Sequence, residues 1–175
     1  MSLAPAPDGA LADEFAAAGI DIMRVEKRAQ GIDPTLTARI GLALKKRGVD
    51  VVHTHNPMPL IYAAPAARLV GAAAIHTKHG RNPANFSNRA LRRVAAQWVN
   101  FFVAVSDITA EQALAQHDCP PSKLRTIPNG IRLERYVPDA KARAETRAEL
   151  GLGDAWVVGT VGRLDEFKNQ RMLIR

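Results

Sequence analysis

The sequence predicts an α/β protein with a Rossmann-like, doubly wound parallel sheet, and three observations carry that expectation. Short apolar runs at residues 49–54, 72–77 and 101–105 alternate with longer segments whose apolar positions recur at helical spacing. Glycine or a cap residue stands at most of the changes from one pattern to the other. Continuously apolar strands separated by helices call for parallel pairing through right-handed crossovers, with helices against the sheet.

In chain order, residues 10–18 read as a short helix and 20–25 as a strand carried by Ile20, Ile22 and Val25. Residues 34–47 form an amphipathic helix with Leu36, Ile40, Ala43 and Leu44 on one face, Asp33 as N-cap, Pro34 in the first turn and Gly48 as terminator. A strand at 49–54 precedes a helix at 60–70, closed by Gly71, and a strand at 72–77. A helix with a basic face follows at 88–99, then a strand at 101–105. Ser106 or Asp107 caps a helix reaching Gln116, and the strand at 124–127 ends in the turn Pro128-Asn129-Gly130.

A boundary near residues 136–139 divides a first domain, 1–137, from a second segment, 138–175. The latter holds a charged, alanine-rich helix at 141–150 and a strand at 156–161 that either extends the first sheet or starts a second domain. The chain enters a helix without a leading strand and stops inside an apparent helix, so truncation at both ends is the expectation.

A chain of 175 residues, 47% hydrophobic, can bury a full core without disulfide or metal support. Only 5% is aromatic and alanine dominates, which favours close helix packing. The lone Cys119 cannot form an internal disulfide and reads as a bystander thiol in a reducing cytoplasm. The longest uncharged apolar stretch, 57–67, holds three prolines and is too short to span a bilayer.

The net charge of +7 is concentrated: residues 51–106 contain Arg68, Lys78, Arg81, Arg89, Arg92 and Arg93 and no Asp or Glu. Such a block attracts phosphates, and with Phe86 and Trp98 nearby it suggests a peripheral site on an anionic membrane, at the inner face of the plasma membrane. Nucleic acid is not expected as a partner, because no aromatics are interleaved with the basic residues and no binding motif is present.

Two constellations bear chemistry. His53-Thr54-His55 and His76-Thr77-Lys78-His79 close successive strands, and ligands of parallel sheets bind at strand carboxyl ends. Two histidine pairs could ligate zinc, but Lys78 and Arg81 would repel a cation and no acid stands nearby, so no metal and no cofactor are expected. A neutral imidazole bonding a phosphate or sugar oxygen fits the basic setting better. For His53 and His76 a structural role is favoured, His55 stays open between the two, and His79 is the foremost candidate. Gly80 beside it permits close backbone approach, with Asn56 and Arg81 completing the cleft candidates. In the second constellation Gly162-Arg163 ends a strand and Lys168 stands five residues on, a fork and a point charge suited to a diphosphate at a helix N-terminus.

Together the strings VDVVHTHNPMPLIYAAPAARLVG, HTKHG, FVAVSDITAEQAL, LRTIPNGI and VVGTVGRLDEFKNQ resemble glycosyltransferase family 4, in order and spacing, over about residues 10–175. The resemblance implies the GT-B fold, in which an acceptor-side and a donor-side Rossmann-like domain face each other across a cleft. It implies sugar transfer with retention from a nucleotide-diphospho-sugar to a sugar or lipid-linked acceptor, without a catalytic metal. By the same resemblance Arg163 and Lys168 hold the donor diphosphate, His79 faces the donor sugar, and Asn129 and Gly130 lie near the hinge. The family's opening strand with its glycine-rich loop and its paired-glutamate motif are not found, so the chain alone is expected to be inactive and its uncovered surface to favour self-association. The alternative reading is a non-catalytic Rossmann-like module for a nucleotide or phosphate, although no G-x-G-x-x-G loop is present.

Overall fold

A computed structural model describes residues 10–80, 86–164 and 168–174. The chain divides after Gly130 into two compact units, where the sequence had placed the boundary after residue 137.

The first unit holds a four-stranded parallel sheet of β1 (Val51–His55), β2 (Ala73–Lys78), β3 (Phe101–Ala104) and β4 (Leu124–Thr126), in the order β1-β2-β3-β4. Pairing sets His55 beside Thr77 and Thr77 beside Val103. The helices are α1 (Ala10–Ala17), α2 (Leu36–Lys46), α3 (Pro57–Leu69), α4 (Phe86–Ala96) and α5 (Asp107–Ala115). With each strand added on the same side of the last, right-handed crossovers place α3, α4 and α5 against one face of the sheet. The side chains agree: Val52 and Thr54 of β1, Ala74 and His76 of β2, and Phe102 and Ala104 of β3 are buried, while Val51, His53, His55 and Phe101 on the opposite alternation are exposed.

Small residues let the helix layer approach closely. Ala63, Ala64, Ala66 and Ala67 of α3 are fully buried, and a methyl group added at Gly41 of α2 would stand 3.7 Å from the Ala66 carbonyl oxygen. Leu36, Ile40 and Leu44 supply the buried stripe of α2, as their spacing predicts.

Two local expectations are corrected. Residues 20–25 form no strand beyond an isolated bridge at Arg24; Ile20 and Ile22 remain exposed, so no ladder fixes the alternation. Asp33 is not the N-cap of α2, which is Thr35. Its carboxylate instead accepts from Arg28 N, from Thr35 N and Oγ1, and from Arg39 Nη2, tying the segment before α2 to its first turns. Those backbone donors hold its pKa down to about 2.

The second unit contains α6 (Ala140–Glu149), capped by Asp139, and α7 (Gln170–Ile174). Residues 156–161 form no strand, contrary to the sequence reading. Among the described residues their backbone pairs with no neighbouring strand, and their side chains stay exposed: Trp156 is 101% and Val161 104% exposed. A β-run acquires its geometry from the ladder beside it.

Candidate functional site

β1 and β2 carry their histidines to the carboxyl edge of the sheet. Alternation points His53 and His55 to one face of β1, the face away from the helices. His53 Nε2 lies 2.8 Å from Thr77 Oγ1, and His55 Nδ1 lies 2.8 Å from His79 Nε2. The rings of His53 and His55 are 4.3 Å apart and those of His55 and His79 5.1 Å, so the three imidazoles form a short row. Removal from water, then the neighbouring His53 and His79 rings, lowers the pKa of His55. A neutral ring is thereby favoured. It can donate or accept toward a hydroxyl, and the ring nitrogens outside the shared bond, His55 Nε2 and His79 Nδ1, are left for a ligand oxygen.

His76 belongs to the other face. It is buried, its Nδ1 is 2.9 Å from Thr54 Oγ1, and its ring stands 4.9 Å from Phe102. Burial pushes its pKa down to about 3, which makes it a neutral imidazole within the sheet. Its partner is the side chain of Thr54 on the neighbouring strand, in keeping with the structural role favoured for it.

Asn56 alone turns β1 into α3, at φ 70° and ψ 160°. That region is nearly reserved for glycine and costs on the order of 1–3 kcal/mol, so the chain holds strain beside His55. Gly80 is half-buried just past His79, with open space where a side chain would stand. Arg81 lies outside the described residues.

The open face of the sheet forms a basin of about 540 Å³. His53, His55 and His79 line one side; Ile75, Phe101 and Val103 form its apolar floor; Asn129 and Gly130 stand at the rim. Arg125, which the sequence reading missed, lies on this basin with its guanidinium carbon 5.6 Å from the Phe101 ring centre. Only its alternation with Ile127, just past the end of β4, could have flagged it. Among the described residues no three His, Cys, Asp or Glu side chains are grouped to hold a metal.

The basic block is not a free surface. Lys78 is buried and bonded through Nζ to Asp118 Oδ2, their side chains 1% and 3% exposed. Arg89 and Arg93 of α4 both donate to the Gln116 carbonyl oxygen at the end of α5, at 3.0 and 2.6 Å. Cations at a helix C-terminus meet its exposed carbonyls and the negative end of its dipole. Arg92 is buried beside them; burial lowers its pKa, and the neighbouring Asp118 offsets part of that by favouring its charge. Thus four of the six cations serve the joint between β2, α4 and α5.

In the second unit the stem of Lys168 runs past Gly162, since a methyl group there would meet Lys168 carbons at 3.7 Å. Gln170 Nε2 donates to the Arg163 carbonyl oxygen at 2.6 Å, closing the loop just ahead of α7. Arg163 and Lys168 are both exposed. Gly162 and the Lys168 stem therefore lie side by side.

The model of Glycosyltransferase Family 4 matches residues 2–135. A GDP-mannose-dependent α-(1-6)-phosphatidylinositol monomannoside mannosyltransferase of Mycolicibacterium smegmatis is 33% identical over 150 residues, covering 82% of this chain and 38% of that protein. A UDP-Gal:α-D-GlcNAc-diphosphoundecaprenol α-1,3-galactosyltransferase of Escherichia coli is 31% identical over 135 residues, with 72% and 35% covered. Among solved structures, Anabaena HepE in complex with UDP superposes at a TM-score of 0.76 and 21% identity, over 96% of this chain and 47% of that one. The chain thus spans well under half the length of these two curated relatives.

Proposed function

This chain belongs to glycosyltransferase family 4, and from that premise we propose that it takes part in moving a sugar from a nucleotide-diphospho-sugar to an acceptor. The first unit supplies the acceptor-side surface. The observation that carries the reading is the hydrogen-bonded His55–His79 pair at the strand carboxyl ends, beside an apolar basin and within the residues the family model matches.

His79 positions the transferred sugar. The pair's shared hydrogen bond fixes the ring, and its outer nitrogen is left to bond a sugar hydroxyl. In the second unit Arg163 and Lys168 stabilise charge developing on the departing diphosphate, and Gly162 leaves the backbone open to it. Transfer proceeds with retention at the anomeric carbon and without a metal ion. The acceptor is a sugar or lipid-linked glycan: both similar curated enzymes are named for lipid-linked acceptors, and the basin floor of Ile75, Phe101 and Val103 suits an apolar portion. A peripheral place at a membrane during cell-envelope synthesis goes with that acceptor. The basic stretch lends it little support, because most of its cations are bound internally.

Calorimetric titration of UDP and GDP into a full-length family protein carrying these residues tests the donor side. Replacing Arg163 and Lys168 together by alanine is expected to weaken binding about ten- to a hundredfold, the worth of one or two charge-assisted bonds. Undiminished affinity would remove the diphosphate role.

A further inference from the structure

A buried charge pair stands one residue from His79, and nothing in the proposed chemistry uses it. Lys78 is the last residue of β2; its side chain points into the helix layer, whereas Thr77 before it and His79 after it face the basin. Pairing of β1 with β2 stops at His55 opposite Thr77, so the backbone that presents His79 has passed the end of that ladder. The chain beyond Lys78 on this edge is anchored from below, through Nζ to Asp118, forty positions along the chain. Asp118 is itself fixed: its backbone N donates to Ala113 O at 2.8 Å, and the preceding turn carries the Gln116 carbonyl gripped by Arg89 and Arg93.

Burying two charges is expensive, and well-packed apolar residues usually hold such a place at least as firmly. A retained buried pair is therefore better explained by the geometry it imposes than by stability. We propose that the Lys78–Asp118 pair is a positioning device for His79: it locks the carboxyl end of β2 so that His79 Nε2 meets His55 Nδ1. Lys78 and Asp118 touch no ligand in this scheme. The functional consequence rests on the transferase reading, but the structural claim does not.

The test is nitrogen-15 NMR of the four imidazoles His53, His55, His76 and His79 in the 175-residue chain, comparing wild type with Lys78→Met/Asp118→Leu, which removes both charges at once. Expected are a folded chain and loss of the hydrogen-bonded nitrogen pattern of His55 and His79, with the His53 and His76 signals retained, since their partners Thr77 and Thr54 lie within the ladder. The unfolding midpoint falls, because buried Arg92 loses the charge of Asp118. Retained His55 and His79 signals would overturn the proposal, and so would a change in all four rings, which would mean a merely structural role. Should the double variant not fold, Asp118→Glu keeps both charges and moves the carboxylate by one methylene. Altered His55 and His79 signals there support the device; wild-type signals refute it. No donor or acceptor enters this measurement, so its failure leaves the transferase reading standing, and the reverse.

Discussion

Residues 101–104 and residues 156–161 are alike as sequence, both dense in the aromatic and β-branched types that favour strands, yet only the first became one. Phe101–Ala104 lies between β2 and β4, donates and accepts along both edges, and buries Phe102 against His76. Residues 156–161 have no neighbouring strand, and no described residue of 131–174 is buried. Propensity alone makes no strand; paired neighbours and a helix layer do.

Matched substitutions in the two regions sharpen this contrast. Phe102→Ala, at 1% exposure, should cost about 3–5 kcal/mol in urea unfolding, while Trp156→Ala should fall within about 0.5 kcal/mol. Comparable losses would break the comparison. Charge follows the same logic. Asp118→Ala orphans buried Lys78 and should cost about 3 kcal/mol, whereas Glu145→Ala, which opens the exposed 3.9 Å pair with Lys141, should cost no more than about 0.5 kcal/mol by the same assay.

Acid probes His76 and Asp33, both in the first unit. The folded His76 ring refuses a proton until about pH 3, while the unfolded ring accepts one near 6.5. Its contribution is complete above pH 6.5 and is lost as pH falls toward 3, at about 1.4 kcal/mol per pH unit. Asp33 acts in the same direction lower down, between its ordinary 3.8 and about 2. Urea midpoints against pH should show this slope, and His76→Gln should flatten it above about pH 5, where Asp33 is ionised in both states; an unchanged slope would assign it to other groups. Smallest are the caps. Ser106→Ala removes the acceptor of Thr109 N and should cost about 1 kcal/mol globally, while Asp139→Ala should lower only the helicity of α6.

Much of the first unit was legible in the sequence because local patterns there agree with their tertiary surroundings. The 3.6-residue spacing of Leu36, Ile40 and Leu44, the cap at Ser106 and the apolar strand runs each met the partners they imply. His55 and His79 could be placed at strand ends by pattern, but their bond to each other required the register of β1 on β2. Asp118 was invisible as the partner of Lys78, because no local rule joins residues forty apart. The basic block misled for the same reason: a run of cations looks like free charge until the carbonyl at Gln116 is seen to consume two of them.

The most direct measurement is sugar transfer from labelled nucleotide-diphospho-sugars by a full-length family protein carrying these residues, compared with its His79→Ala form. Expected is a loss of about a hundredfold or more in kcat with the unfolding midpoint unchanged, as when one preorganised polar group is removed from a reacting centre. Transfer at the parental rate without the His79 imidazole would contradict it.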